Sequence, residues 1–228
     1  MCATVPEYLQ RQLMLMGDDA MRRIMDMRVI VFGVGGVGSW AVEALARSGV
    51  GNITIVDADC VDSTNINRQL PALHTTVGQP KVEVMARRIA DINPACKVQP
   101  IRAFYSQDNA ADFHLEEYDV VIDAIDSLSS KATLILHATS LPAGTKLVSS
   151  MGAGRRLDPA QVSDAEFWKV KGCPLARALR TRFKKNDAMP RRKFRCVYSA
   201  EPPAGLPGSS SVLVTAAFGL RLAALALK

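Results

Sequence analysis

Cysteine is sparse in this 228-residue chain and is never spaced as C-x-x-C. Cys2, Cys60, Cys96, Cys173 and Cys196 are scattered and odd in number. That pattern excludes a disulfide framework and a structural zinc site built on cysteine pairs, and it fits a reducing, cytoplasmic setting. Histidine is scarcer still: His74, His114 and His137 offer no Ser-His-Asp set for nucleophilic catalysis. No membrane span is expected. The apolar run from Val212 to Leu227 contains Arg221 and falls short of a full crossing, so a core helix is the reading. The opening Met-Cys-Ala-Thr-Val-Pro-Glu has neither the basic nor the apolar region of a signal peptide. Disorder is excluded by a hydrophobic content of 48%. The net charge of +6 is compatible with a polyanionic partner without establishing one.

What the chain does have is concentrated between Val29 and Gln69. An apolar run, Arg28-Val-Ile-Val-Phe-Gly33, reads as a buried parallel strand. It breaks at Gly33-Val-Gly-Gly-Val-Gly38, continues as an apolar-periodic helix through Trp40, Ala41, Ala44 and Leu45, and resumes as a strand, Ile53-Thr-Ile-Val-Asp57. Strand, glycine turn, helix, strand and acid is the order of a nucleotide-binding βαβ unit. Gly33 permits the tight turn, Gly35 admits a phosphate close to the backbone, and Gly38 lets helix and strand pack. The helix N-terminus then presents unpaired N–H groups to an anion. Asp57 stands where a carboxylate can accept from ribose hydroxyls. The turn fits NAD as well as ATP.

Elsewhere the pattern predicts further α/β units. Tyr8 to Met25 reads as helices split at Gly17, with Asp18 or Asp19 as cap, and Arg11 lies on the first of them. The polar stretch after Asp57 places Asn65 and Arg68 one helical turn apart, two good donors for phosphate oxygens. Pro80 to Asn93 is an amphipathic helix with Val82, Met85, Ile89 and Ile92 as its buried stripe. Lys81 in its first turn opposes the helix dipole and suggests a bound anion. Val98 to Phe104 reads as an edge strand because Pro100 interrupts it. Tyr118 to Asp126 reads as a central strand, whose carboxylates Asp123 and Asp126 are placed for Mg²⁺ beside a triphosphate. Ser129 to Ser140 follows as a helix, and Lys146 to Gly154 as a fifth strand ending in small residues. After Arg155 the composition turns basic: Arg177, Arg180, Lys184, Lys185, Arg191, Arg192 and Lys193 crowd one segment, with Phe183 and Phe194 between them. Such a run is either a solvated face or a nucleic-acid surface, and the phenylalanines either stack on bases or anchor a core. Arg195 to Tyr198 is expected to be a short strand.

The ordered series Gly33-Val-Gly-Gly-Val-Gly38, Asp57-x-Asp59, Thr64-Asn-x-x-Arg68-Gln, Pro80-Lys81 and Asp123-x-x-Asp126 resembles the ThiF/MoeB superfamily, the fold of ubiquitin-activating enzymes. That resemblance implies a Rossmann-like, mostly parallel sheet flanked by helices. It also implies a single adenylating domain over 1–228, divided into N-terminal helices 8–26, a nucleotide-binding core 27–154, and a basic segment with a final helix 155–228. It further implies MgATP-dependent adenylation of a carboxylate. ATP would contact Gly33, Gly35, Gly36, Gly38, Asp57, Asp59 and Ser127, with Asn65, Arg68 and Lys81 on its phosphates and Asp126 holding Mg²⁺. Catalysis would fall to Asp126, Arg68, Lys81 and an Arg11 reaching into the partner subunit of a homodimer. Sulfur-carrier-activating members carry zinc-binding cysteine pairs and a D-x-x-D-N motif. Here the pairs are missing and Ser127 follows Asp126. Instead Ala44-Leu-Ala-Arg-Ser-Gly-Val-Gly51, Asn65 to His74 and Pro207-Gly-Ser-Ser-Ser look like the tRNA threonylcarbamoyladenosine dehydratase branch. The implied substrate is tRNA, bound by Arg177, Arg180, Lys184, Lys185, Arg191, Arg192 and Lys193, with a sulfur-transferring protein as a further partner. Three other readings stay open: activation of a sulfur-carrier or ubiquitin-like C-terminus, an NAD-dependent Rossmann oxidoreductase, and a nucleotide-regulated RNA-binding module without catalysis.

Overall fold

Alternation along the first strand explains the layers. In the computed structural model, which describes residues 5–142 and 144–228, β1 (Arg28–Phe32) sends Val29 and Val31 to one face and Ile30 and Phe32 to the other. All four are buried, as expected of a parallel strand covered on both sides. On one face α3 (Gly38–Arg47), α4 (Lys81–Ile92) and α7 (Val212–Ala226) pack over the sheet; on the other lie α5 (Leu128–Ser140) and α6 (Pro174–Lys185). Each large apolar side chain buried in these layers contributes about 1.5–3 kcal/mol.

Seven strands form one sheet in the order β3-β2-β1-β4-β5-β7-β6. Besides β1 they are β2 (Asn52–Val56), β3 (Lys97–Ile101), β4 (Val120–Asp123), β5 (Lys146–Ser150), β6 (Val162–Glu166) and β7 (Arg195–Ser199). All pairings are parallel except β6 with β7. This is the α/β class expected. Pro100 sits on edge strand β3, where its missing N–H costs no ladder bond. Strand order reverses between β1, which pairs with β2, and β4, so a crevice opens above their carboxyl ends.

Three local expectations need correction. β6 is absent from the sequence reading because Val-Ser-Asp-Ala-Glu has no apolar run. As an edge strand it is held instead by Asp164, which accepts from Arg195 of β7 and Arg221 of α7. The cap of α2 (Asp18–Asp26) is Gly17 at φ 81°, and Asp18 and Asp19 occupy its first turn without a capping bond. β4 ends at Asp123, so Asp126 lies beyond the strand, just before α5.

α7 crosses α3 at unusually close range. A Cβ on Gly219 would stand 2.5 Å from the Val37 carbonyl oxygen and 2.6 Å from the Trp40 Cβ. At the N-terminus, α1 (Gln10–Met16) leaves Met14 86% and Leu15 85% exposed. Among the described residues no helix is long and apolar enough to cross a membrane. Cys2 lies outside the described residues; the other four cysteines are free thiols.

Candidate active site

The glycine turn after β1 is set by steric limits that can be read atom by atom. Gly33 adopts φ 85°, and a Cβ there would lie 2.8 Å from the Ala124 carbonyl oxygen at the end of β4. At Gly38, the first residue of α3, a Cβ would overlap the Gly33 carbonyl oxygen at 1.8 Å. Gly35 is different: the nearest atom to its would-be Cβ is 3.7 Å away, on Gln69. Protein packing therefore does not require glycine at that position, and the space it leaves faces a cleft of about 930 Å³. The cleft is of ordinary size for a small-molecule site. The turn residues that line the cleft are Gly35, Gly36 and Val37, just ahead of α3, so an anion there would face the positive end of the helix dipole.

Acids and bases that follow β2, β4 and β5 converge there. Asp57, after β2, accepts from the Val34 N–H at 2.8 Å and the Asp59 N–H at 2.9 Å, tying the glycine turn to the next loop. Burial pushes its carboxyl up, against those two hydrogen bonds and the nearby Lys81 charge. Lys81 is buried at the first turn of α4 and its Nζ donates to Asp59 Oδ2 at 2.8 Å. Asp59 thus supplies the internal anion that this dipole-opposing lysine needs, while two of its N–H donors remain. Asn65 closes a capping box with Asp62. Arg68 donates to the Thr64 carbonyl and to Asn67 Oδ1, both at 2.9 Å, and its stem passes beside Gly36.

The two acids after β4 have separate fates. Asp123 is fully buried, paired with Lys131 at 2.7 Å and accepting from Ser149 Oγ at 2.7 Å and the Ile125 N–H at 3.1 Å. Asp126 is exposed on the cleft wall beside Ser127 and enters none of the ion pairs formed by the described residues.

Gly33, Gly35, Gly36, Asp57, Asp59, Asn65, Arg68, Lys81, Asp126 and Ser127 all line the one cleft. Gly38 does not; it packs behind the turn. Arg11 is exposed on α1 and is not part of the cleft within one chain. The basic segment divides. Arg177, Lys184, Lys185, Arg191 and Lys193 are exposed. Arg180 instead donates to the Phe167 and Val170 carbonyls with its guanidinium over the Phe167 ring, and Arg192 donates to the Ala138, Thr139 and Thr145 carbonyls. These two brace the fold, which corrects the expectation of seven equivalent surface cations. Phe183 and Phe194 are buried around Phe167, so they anchor a core and do not stack on bases. The helix that carries Phe183, α6, begins at the cleft, where Pro174 and Leu175 form part of its wall.

The far wall escaped the sequence reading. It is built from residues 150–156 after β5 and 208–210 before α7, which meet through Arg155 N–H to the Ser209 carbonyl at 2.9 Å. The only sequence signal was a second glycine-rich strand end, Met151-Gly-Ala-Gly154.

Comparison with known proteins agrees with this layout. The chain is 42% identical over 85% of its length to the tRNA threonylcarbamoyladenosine dehydratase of Bacillus subtilis, covering 74% of that protein. The crystal structure of the Escherichia coli tRNA N6-threonylcarbamoyladenosine dehydratase in complex with ATP superposes at a TM-score of 0.89 with 40% identity, covering 97% of this chain and 92% of that one. Its complex with AMP gives 0.89 and 38%, covering 99% and 96%. The ThiF family profile matches residues 9–227, and with the motif order, the sheet and the cleft in agreement, the chain belongs to the ThiF family.

Proposed function

We propose that this chain is an ATP-dependent tRNA threonylcarbamoyladenosine dehydratase, acting as one adenylating domain in a homodimer in the reducing cytoplasm. The observation that carries the reading is the meeting of the glycine turn ahead of α3, Lys81 and Asp126 at one crevice, in a chain whose relatives of that name match most of its length.

Asp57 is suited to the ribose hydroxyls of ATP, while the glycine turn, Lys81, Arg68 and Asn65 are suited to its phosphates. Asp126 fits Mg²⁺, which is commonly held by one or two carboxylates with phosphate oxygens and water completing its shell. When bound, the ion neutralises charge on the departing pyrophosphate. In the first step an oxygen of the threonylcarbamoyl carboxylate attacks the α-phosphorus, and the bond to pyrophosphate breaks. In the second, a nucleophilic atom of the same modification attacks the acyl carbon and closes the ring. The carboxylate oxygen leaves with AMP, which accounts for the net loss of water.

A tRNA substrate is supported by α6, which runs from the cleft wall toward Lys184 and Lys185, with Arg177 exposed along it. A dimer is supported by the uncovered Met14 and Leu15 beside Arg11, an apolar patch that a second copy would bury. The test is mass spectrometry of nucleosides from tRNA lacking the cyclic form, after incubation with the protein and MgATP. The expected product is one water lighter than threonylcarbamoyladenosine. Pyrophosphate exchange driven by a sulfur-carrier protein and indifferent to tRNA would replace this reading with the competing one.

A further inference from the structure

One buried cation in the cleft wall has no anion among the described residues. Arg156 is only 2% exposed, yet it is part of the lining. Its guanidinium makes two long hydrogen bonds, to the Arg155 carbonyl at 3.3 Å and the Gly172 carbonyl at 3.5 Å. Nε is buried without a partner, and no described carboxylate pairs with the group. Glu201 is close in the chain's path but its oxygens accept from the Leu157 and Asp158 N–H groups at 3.0–3.1 Å. A buried, uncompensated charge is among the costliest features a fold can hold, and removing it in favour of an apolar side chain commonly stabilises the protein. Such a group persists where a ligand supplies the missing charge.

Its place in the sheet indicates which ligand. Read along the carboxyl edge, β2 is followed by Asp57, β1 by the glycine turn and β4 by Asp126, and β5 leads to Arg156. Residues suited to ribose, phosphates and metal therefore follow successive strands, and Arg156 comes next in line, on the loop beyond β5. It stands on the far wall of the cleft, apart from the strand ends that carry the nucleotide motifs, where a second substrate would lie. A single guanidinium with a free Nε–H edge matches one planar monoanion, bound bidentately, better than a polyphosphate. The backbone fixes it in advance: Arg155 is held at φ 62° by its N–H to Ser209 and its carbonyl from the Ala204 N–H at 2.8 Å.

We propose that Arg156 is the receptor for the substrate's reactive carboxylate, orienting it for attack on ATP. This rests on the dehydratase reading above. The experiment compares binding of tRNA carrying threonylcarbamoyladenosine with the same tRNA after its side-chain carboxylate has been converted to the methylamide. Unsubstituted protein, R156M and R156K are each measured, with ATP affinity and thermal midpoint alongside. Unsubstituted protein should prefer the acid by about tenfold or more, the ratio a charge-assisted hydrogen bond supports. R156M should lose that preference, bind the amide form as before, keep ATP affinity within about twofold, and melt no lower than the unsubstituted protein. R156K, which keeps the charge without the fork, should retain part of the preference and guards against misfolding of R156M. The inference is overturned if either variant keeps the full acid preference, if ATP affinity falls instead, or if R156M melts lower, as removal of a purely structural arginine would require. Should the unsubstituted protein convert tRNA while R156M keeps its acid preference, only this assignment fails. Should it neither convert tRNA nor prefer the acid, the dehydratase reading fails with it.

Discussion

Asp123 and Asp126 stand three residues apart, and replacing each with asparagine should produce opposite failures. Asp123→Asn removes the charge that neutralises Lys131, a side chain with no solvent exposure, and weakens the bond from Ser149. Breaking one half of a buried pair costs about 3–5 kcal/mol. For a chain of this length each kcal/mol shifts the melting midpoint by roughly 2–4 °C, so the midpoint should fall by about 10 °C. Adding Lys131→Met should recover much of that loss, since the orphaned ammonium is then gone. Asp126→Asn touches an exposed carboxylate outside any ion pair and should leave stability within about 0.5 kcal/mol. It should nevertheless abolish AMP formation. Calorimetric melting and a tRNA-dependent AMP assay, run on the three variants, separate the two effects. Full activity in Asp126→Asn, or an Asp123→Asn protein that is stable but inactive, would refute the reasoning.

Mixing Arg11→Ala protein with Asp126→Ala protein should restore part of the activity that each lacks, because a mixed dimer holds one intact site; a monomer by light scattering would contradict it. Replacing Arg177, Lys184, Lys185, Arg191 and Lys193 with alanine should lower the salt slope of tRNA binding by about one unit per lost phosphate contact while leaving ATP affinity unchanged. Arg192→Ala, by contrast, should lower the melting midpoint, since it frees carbonyls at the end of α5. Glu43 links α3 to α4 through Arg88 at 2.6 and 2.9 Å and also accepts from Arg47 at 2.8 Å. Burial pushes its carboxyl up, but those bonds outweigh it and hold the group below the ordinary glutamate range. Its contribution is therefore complete above about pH 4.3 and is lost as pH falls through the lower folded value. Urea midpoints measured from pH 6 to pH 3 should accordingly fall less steeply in Glu43→Gln.

The nucleotide half of the cleft was legible in the sequence because its information is local. Gly33, Gly35 and Asp57 follow apolar runs and Lys81 opens an amphipathic one, so the period of each run identifies the element that positions them. The acceptor half was not. Arg156 and Ser209 come from distant segments that meet because β7 inserts between β5 and β6, and β6 carries no apolar pattern. Charge was misleading for a related reason. Arg180 and Arg192 read as members of a basic run, yet carbonyls from other elements absorb them. Family likeness points to Asp126 over Asp123, and the pairing of Asp123 with Lys131, with Asp126 outside the ion pairs of the described residues, supports that reading.

The contact between α7 and α3 bears on how tolerance to substitution is distributed along the chain. Gly219 belongs to no nucleotide motif and does not itself line the cleft, yet it packs on Val37 and Trp40, which flank Gly38 and Ser39. A saturation map of the chain would therefore group Gly219 with Gly33 and Gly38, and away from its helical neighbours. Even alanine there would push α3 sideways and carry the glycine turn with it. In functional terms the phosphate-binding turn has one of its walls encoded in the last helix.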